Sequence, residues 1–408
     1  MFSARLAWDR SENALARCER ERRAAGQPIL DLTESNPTRV GLPYPTEGLR
    51  DALGAGAVYR YDPAPFGLAS AREAVAHSYR AVAAPIDAGQ IVITASSSES
   101  YALLFKLLCD PGDAVLVPEP SYPLFDYLAH LEGVRSIGYR LAYDGEWHID
   151  FDSLAAARAR AITASGGRAR AVVVVNPNNP TGSFVAASDL APLAEVADAG
   201  ELAVISDEVF ADFRFAGARA PAAPCLAAAP AMATRALTFS LGGLSKASGL
   251  PHLKLGWIAV AGPPALARDA LARLELINDT YLSAAGPVQR ALPQLLGLGA
   301  GIRSAIQDRV GGNRSRLLAA LGSGSPCTCL NAEGGWTAIV RVPDLAGDGA
   351  SDERWALRLL AEDGVLVHPG YLFDMPSGAY LVVSLLPEPD TFDRGAAAIV
   401  ARCRDSVP

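Results

Sequence analysis

Little in this chain points to metal, membrane or nucleic acid. Its six cysteines (Cys18, Cys109, Cys225, Cys327, Cys329 and Cys403) are scattered. Cys327-Thr-Cys329 is the one close pair, and no second pair or histidine cluster completes a zinc site. The cysteines read as reduced thiols with no metal, in a cytoplasmic protein. There is no run of basic residues, and the formal net charge is −8. A nucleic-acid surface needs clustered Lys and Arg, so that class of partner is excluded. Leu255 to Ala267 is uncharged but too short, and too broken by Gly and Pro, to span a bilayer. The first ten residues carry charge where a secretion signal needs an apolar core. No Gly-x-Gly-x-x-Gly follows the first strand and no Gly-Lys-Ser/Thr loop appears, which leaves out dinucleotide and P-loop chemistry. There is no internal repeat and no low-complexity tail.

What is present is an ordinary globular composition. Half of the 408 residues are apolar and a fifth are charged, enough for two or three lobes with a large core. Ile91–Thr94, Ala114–Val117, Ala171–Val175, Leu202–Ser206, Ala236–Ser240 and Trp257–Ala261 read as buried strands. Tyr101–Cys109, Leu124–Leu131, Ser188–Asp198 and Pro264–Leu276 read as helices between them. Buried strands alternating with helices predict an α/β fold with a mostly parallel central sheet flanked by helices. After about Thr280 the pattern changes to a smaller α+β lobe. It opens with helix from roughly Ala284 to Leu321, and strands follow near Trp336–Val342, Val365–Val367 and Tyr380–Leu385. A helix falls near Glu353–Glu362 and another ends the chain. The division reads as residues 1–50 packing on the small lobe, 51–283 as the large lobe and 284–408 as the small one. Ala216–Ala233, rich in Ala and Pro, reads as a surface excursion.

Five polar loops follow strands at their C-terminal ends, where open α/β sheets bind ligands. Ala95-Ser-Ser-Ser-Glu-Ser100 opens a helix, and its N–H groups and hydroxyls suit a phosphate or a plain N-cap. Pro118-Glu-Pro-Ser-Tyr-Pro123 holds Tyr122 to stack on a planar ring or to pack in the core. Asn176-Pro-Asn-Asn-Pro-Thr-Gly182 is more specific, because its prolines and glycine stiffen a loop that aims the Asn179 amide out of a buried strand. Ser206-Asp-Glu-Val-Phe210 places Asp207 past a buried strand, where it needs a cationic partner or caps a helix. Lys246 lies in a Ser/Gly-rich segment after an apolar strand, with no packing role of its own. A lysine that condenses with a carbonyl cofactor needs such a setting. Lys254, eight residues on, is either a phosphate partner or a solvated surface lysine.

Together the loops supply a phosphate cradle, a ring platform, a donor for a phenolic oxygen, a partner for a pyridinium and a Schiff-base lysine. Those are the needs of pyridoxal 5′-phosphate. The order and content of these motifs, from about Leu30 to Ala401, resemble the fold-type I, class I/II aminotransferases. Asn179, Asp207 and Lys246 carry the specific part of the match. Pro111–Pro118 and Glu333-Gly-Gly335 support it.

The resemblance implies an enzyme that moves an amino group between an amino acid and a 2-oxo acid. It implies that Lys246 holds the cofactor and shuttles a proton, that Asp207 keeps the ring nitrogen protonated, and that Asn179 donates to the phenolic oxygen. Tyr122 would stack on the ring. Ser97, Ser98, Ser245 and Lys254 would surround the phosphate, and Tyr61 would reach the phosphate of a second subunit in a homodimer with shared active sites. Asn36 and Arg39, in Glu34-Ser-Asn-Pro-Thr-Arg39, resemble an N-terminal substrate loop. Trp336, Tyr371 and Phe373 would line the side-chain pocket or pack in the small lobe, where His368 is read as structural.

The chain departs from the family pattern at four places. Phe210 replaces a tyrosine donor, Gly243 a phosphate-binding serine, Lys254 an arginine, and Val382 the arginine that holds the substrate carboxylate. Arg39 is the expected replacement for that last group. The missing arginine also leaves open another reaction on the same cofactor, such as C–S β-elimination. A non-catalytic regulator on the same fold would carry a DNA-binding module ahead of it, and the roughly thirty residues before Leu30 read as too short and not basic enough for one.

Overall fold

The computed structural model describes residues 2–55, 59, 61–162, 166–344, 351–376 and 378–406. The short strand β1 (Leu30–Asp31) comes first. Among the described residues, eight strands then form one large sheet. They are β2 (Ile91–Thr94), β3 (Ala114–Glu119), β4 (Arg135–Tyr143), β5 (Trp147–Ile149), β6 (Ala169–Val175), β7 (Ala203–Asp207), β8 (Thr238–Gly243) and β9 (Gly256–Ala261). Their order in space is β2-β9-β8-β7-β6-β3-β4-β5. β4, β3, β6, β7 and β8 run parallel, β9 opposes both β8 and β2, and β5 opposes β4. The sheet is thus parallel through its middle and mixed toward its edges.

The valine run of β6 shows why the strand is covered on both sides. Side chains alternate across a strand. Val172 and Val174 pack with Leu154 and Leu193 of the helices Phe151–Ala161 and Ala187–Gly200. Ala171, Val173 and Val175 pack on the other face with Leu104 of Ser97–Leu108 and Leu274 of Pro264–Tyr281. Alternation that is apolar on both faces needs a helix layer on each.

The expected strands and helices of this lobe are all found, with ends shifted by a few residues. β4 and β5 go beyond the expectation. Arg135 and Arg140 interrupt the apolar pattern of β4, and most of the strand is only partly covered. Ala216–Ala233 departs from the expected surface excursion. Cys225, Leu226, Ala227 and Met232 are buried, because the segment returns over the buried Glu208 carboxylate. Glu208 Oε1 accepts hydrogen bonds from Leu226 N and from the hydroxyls of Ser206 and Ser240, each at 2.8 Å.

The remaining strands are β10 (Thr328–Cys329), β11 (Thr337–Arg341), β12 (Val365–Leu366), β13 (His368–Pro369) and β14 (Tyr380–Ser384). Four of them make a sheet in the order β10-β11-β14-β13, while β12 pairs in parallel with β1. The long helix Gly286–Ala320 has 35 residues. Its Ile302, Ile306 and Val310 share one core with Trp336, Val383 and Phe392.

This topology creates one polar edge. β2, β3, β6, β7 and β8 all point the same way, so their C-terminal ends meet there. Antiparallel β9 begins at the same edge, bringing Lys254 and Gly256 to it.

Candidate active site

The edge is opened by close packing of β8 on β9. A Cβ on Gly242 would lie 2.4 Å from Trp257 Nε1, and one on Gly243 would lie 3.2 Å from Gly256 Cα. The Trp257 ring is itself held by a hydrogen bond from its Nε1 to Tyr79 Oη at 3.1 Å. With no side chains to separate the strands, β8 runs straight into the short helix Leu244–Ala247, which carries Ser245 and Lys246.

Lys246 Nζ lies 4.7 Å from the centre of the Trp336 ring and 5.3 Å from that of Phe210. Among the described residues it makes no hydrogen bond or ion pair. Burial between these rings lowers its pKa to about 8, against the opposing pull of the Asp207 charge. Lys246 is one of three lysines in the chain. Lys106 pairs with Glu132 at 2.6 Å, which leaves Lys246 and Lys254 as the two without an acidic partner among the described residues.

Asp207 is the last residue of β7. Its Oδ2 accepts from the Tyr101 hydroxyl at 3.1 Å and its Oδ1 from Val209 N at 3.2 Å. Burial raises the carboxyl pKa to about 6, while those two hydrogen bonds and the Lys246 charge hold it down. The backbone bond has the form of a local turn, so Asp207 is structural as well as available. Tyr101 was not singled out in the sequence. It sits on the buried face of Ser97–Leu108 and packs edge-on against Phe125 at 5.4 Å, and an aromatic at that spacing reads as core.

Asn179 is oriented by the neighbouring lobe. Thr337 Oγ1, at the start of β11, donates to Asn179 Oδ1 at 3.4 Å and to Pro180 O at 3.0 Å. The amide NH₂ of Asn179 is left over. The adjacent Asn178 is wholly structural, bonding Ser121, Pro120 and Thr181. Tyr122 is 45% exposed, so it does not pack in the core. Among the described residues, the hydroxyls of Ser97 and Ser98 begin their helix without partners, while Ser96 caps Glu99 N at 3.1 Å. Ser245 and Lys254 are likewise without partners among the described residues. Lys254 is exposed and sits in the left-handed region at φ 48°.

The N-terminal loop is tied in at both ends. Ser384 Oγ donates to Glu34 O at 2.7 Å, and Tyr44 Oη donates to Gly249 O at 2.7 Å. Arg39 projects from this loop, largely exposed, 3.9 Å from Glu34. Asn36 caps the turn through Thr38 N at 3.1 Å. Trp336 is buried, as is Phe373, whereas Tyr371 is 41% exposed. His368 stacks edge-on against Phe373 at 5.7 Å, which fits its structural reading. Tyr61 is 76% exposed and lines a separate cavity with Gly67, Asn278 and Gln289. Among the described residues, Tyr61, Tyr371, Asn36 and Arg39 make no hydrogen bond or ion pair to Lys246 or Asp207. No group of three metal-ligating side chains occurs among them, and no helix is long and apolar enough to cross a membrane.

Residues 31–399 match the sequence profile of the family described as aminotransferase class I and II, and the chain belongs to that family. The glutamate-pyruvate aminotransferase AlaA of Haemophilus influenzae is 28% identical over 368 residues, covering 89% of this chain and 87% of that one. An alanine aminotransferase of Mycobacterium tuberculosis is 29% identical over 387 residues, covering 93% and 85%. Among solved structures, an alanine aminotransferase from Pyrococcus furiosus superposes with a TM-score of 0.84 at 22% identity, over 99% of this chain and all of that one. An Escherichia coli aminotransferase gives 0.83 at 23% identity, over 99% and 98%. The fold is that of the fold-type I aminotransferases, and the reaction is amino-group transfer dependent on pyridoxal 5′-phosphate.

The residues at the polar edge fit that cofactor on their own chemistry. An unpartnered lysine with an easily lost proton suits its aldehyde. A carboxylate held by a tyrosine suits its ring nitrogen, a free amide its phenolic oxygen, and free hydroxyls with a lysine its phosphate. Phe210 offers no hydroxyl beside Lys246, and Val382 is fully buried with no charge to offer.

Proposed function

We propose that Lys246 is the residue that condenses with pyridoxal 5′-phosphate and moves the proton at the substrate α-carbon. The observation that carries this reading is Lys246 itself. It has no hydrogen-bond or ionic partner among the described residues, burial lowers its pKa to about 8, and it stands close enough to Asp207 to feel its charge. When bound, the cofactor supplies an aldehyde and a ring that takes up the electron pair left at the α-carbon. A lysine that is half neutral near pH 8 can accept and return a proton there. Asp207 keeps the ring nitrogen protonated, with Tyr101 holding the carboxylate in place. Asn179 donates to the phenolic oxygen and Tyr122 covers the ring. Ser97, Ser98, Ser245 and Lys254 receive the phosphate. Arg39 takes up the substrate carboxylate, with Asn36 beside it and Tyr371 toward the side-chain pocket.

The exposure of Tyr61 supports a homodimer in which this tyrosine reaches the partner's phosphate. The pairing of β1 with β12 supports residues 1–50 as an appendage of the small lobe 284–408, with 51–283 as the large one. A cytoplasmic setting accords with six free cysteines among the described residues. The names of the relatives put alanine and glutamate first among amino donors, with pyruvate as an acceptor.

The test is a screen of amino acids against the holoenzyme, followed by absorbance and product analysis. Conversion of the bound cofactor to its amine form with release of the matching 2-oxo acid supports transfer. Release of ammonia with pyruvate from sulfur amino acids, without that conversion, would overturn it in favour of elimination.

A further inference from the structure

The long helix Gly286–Ala320 packs against the turn that follows Lys246. A Cβ on Gly299 would lie 2.4 Å from Ser248 Cβ, and one on Gly249 would lie 2.6 Å from Ile302 Cγ2. From the same helix, Arg303 Nη1 donates to Ala247 O, the carbonyl next to Lys246, at 3.4 Å. That nitrogen also donates to Asp212 Oδ2 at 3.4 Å. Gln307 stands one helical turn beyond Arg303 on the same face. Its Nε2 donates to Asp212 O at 2.6 Å. The two side chains hold Asp212 by its carboxylate and by its main chain, and Arg303 joins it to the residue after Lys246.

Asp212 lies two residues past Phe210, whose ring is one of the two beside the Lys246 amine. The small lobe fixes the far side of this loop. Gly335 N donates to Phe213 O and Phe215 N to Glu333 O, both at 2.8 Å, while Phe213 N donates back to Phe210 O at 2.9 Å. Arg303 ties the near side to the lysine's own helix. The Arg303–Asp212 pair is partly exposed, so its Coulomb energy is small and its consequence is positional. Around the lysine, Asp207, held by Tyr101, is the charge that acts on the amine. Tyr44 stands behind it through Gly249 O, and Arg303 and Asp212 stand beside it as a pair.

We propose that Arg303 is a positioning residue for Lys246: by joining Ala247 to Asp212 it keeps the Phe210 ring against the amine and water away from it. The catalytic consequence rests on the reading of Lys246 given above. When the tie is cut, the loop that carries Phe210 relaxes, water reaches the amine, and its charged form is favoured. The direction is the same whichever half of the pair is removed. A direct action of the two charges predicts otherwise. Removing a cation eases the protonation of a nearby amine, and removing an anion hinders it.

The experiment is competitive labelling of the cofactor-free full chain with acetic anhydride, from about pH 6 to about pH 11, read by peptide mass spectrometry. Only a neutral amine is acylated, so the labelling of each lysine reports its own titration, and the exposed Lys254 is the internal reference. In both Arg303→Met and Asp212→Ala the Lys246 midpoint should rise by about one pH unit. That lowers its labelling at pH 7 by roughly tenfold and leaves Lys254 unchanged. Midpoints that move in opposite directions, or that stay put in either variant, overturn the assignment. Should these variants not fold, Gln307→Ala removes a neutral donor and no charge. An upward shift there supports the proposal and an unmoved midpoint overturns it. The labelling needs no cofactor, so its outcome is separate from the enzyme reading. That reading fails on its own if borohydride reduction of the holoenzyme fixes the cofactor to a lysine other than Lys246.

Discussion

Tyr101 donates its hydroxyl hydrogen to Asp207 across 3.1 Å, from a helix into the C-terminal end of β7. Burial raises the carboxyl pKa to about 6 even with this bond in place, and the bond is one of the interactions that hold it down. Removing it with Tyr101→Phe should raise the Asp207 pKa further. Below that pKa the carboxyl carries a proton and no longer attracts a pyridinium. Cofactor affinity should then fall at a higher pH in the variant than in the wild type, with about a fivefold loss at pH 7. Titration of apo-protein with pyridoxal 5′-phosphate between pH 5 and 8 measures this, and superimposable curves would remove Tyr101 from the site.

Asp207→Asn should separate stability from function. The folded pKa of Asp207, about 6, stands above the ordinary 3.8. Its ionisation therefore costs stability as pH rises from about 4 to 6, and the cost persists at pH 7. The asparagine variant should melt higher than wild type in the cofactor-free state at pH 7, by about 2 °C. Its amino-transfer rate should drop by at least roughly a hundredfold, because a neutral amide does not hold the ring nitrogen protonated. Scanning calorimetry and steady-state rates provide the two readings.

Lys246 should set the alkaline side of cofactor capture. Only the neutral amine attacks an aldehyde. The rate at which apo-protein takes up pyridoxal 5′-phosphate should rise through about pH 8 and then level off, where an ordinary lysine would keep rising toward 10.5. The unfolded chain holds the extra proton across that interval, so cofactor-free stability should also rise from pH 8 to 10.5. Stopped-flow absorbance against pH would falsify the reading if the midpoint lay near 10.

Arg39→Met should raise KM for both amino and 2-oxo acids by roughly tenfold and leave cofactor affinity unchanged, since among the described residues the side chain's only ionic partner is Glu34 at 3.9 Å. Unaltered kinetics with every donor that the wild type accepts would return Arg39 to the surface.

Gly242 and Gly243 should differ sharply although they are neighbours. Gly242→Ala drives a methyl to 2.4 Å from Trp257 Nε1 inside a closed core. A loss of about 1–3 kcal/mol is expected from overpacking. Gly243→Ala meets Gly256 Cα at 3.2 Å and needs only a small adjustment. Denaturant melts of the two variants settle the order.

The cofactor was legible because its chemistry needs unusual residue types at strand ends. A partnerless lysine after an apolar run, a stiff Asn/Pro loop and an Asp past a buried strand leave traces in one dimension. The alternation of short apolar runs with helix-length segments likewise announced the covered sheet, since a strand buried on both faces cannot carry polar positions. Tyr101 left no such trace, because a tyrosine on the inner face of a helix looks the same whether its hydroxyl meets Asp207 or nothing. The near-neutral pKa values of Lys246 and Asp207, the pairing of Thr337 with Asn179 and the bond from Arg303 to Ala247 join residues far apart in the chain. Burial and hydrogen-bond distance arise only when the strand ends, the small lobe and the N-terminal loop converge, and so only the tertiary structure decided them.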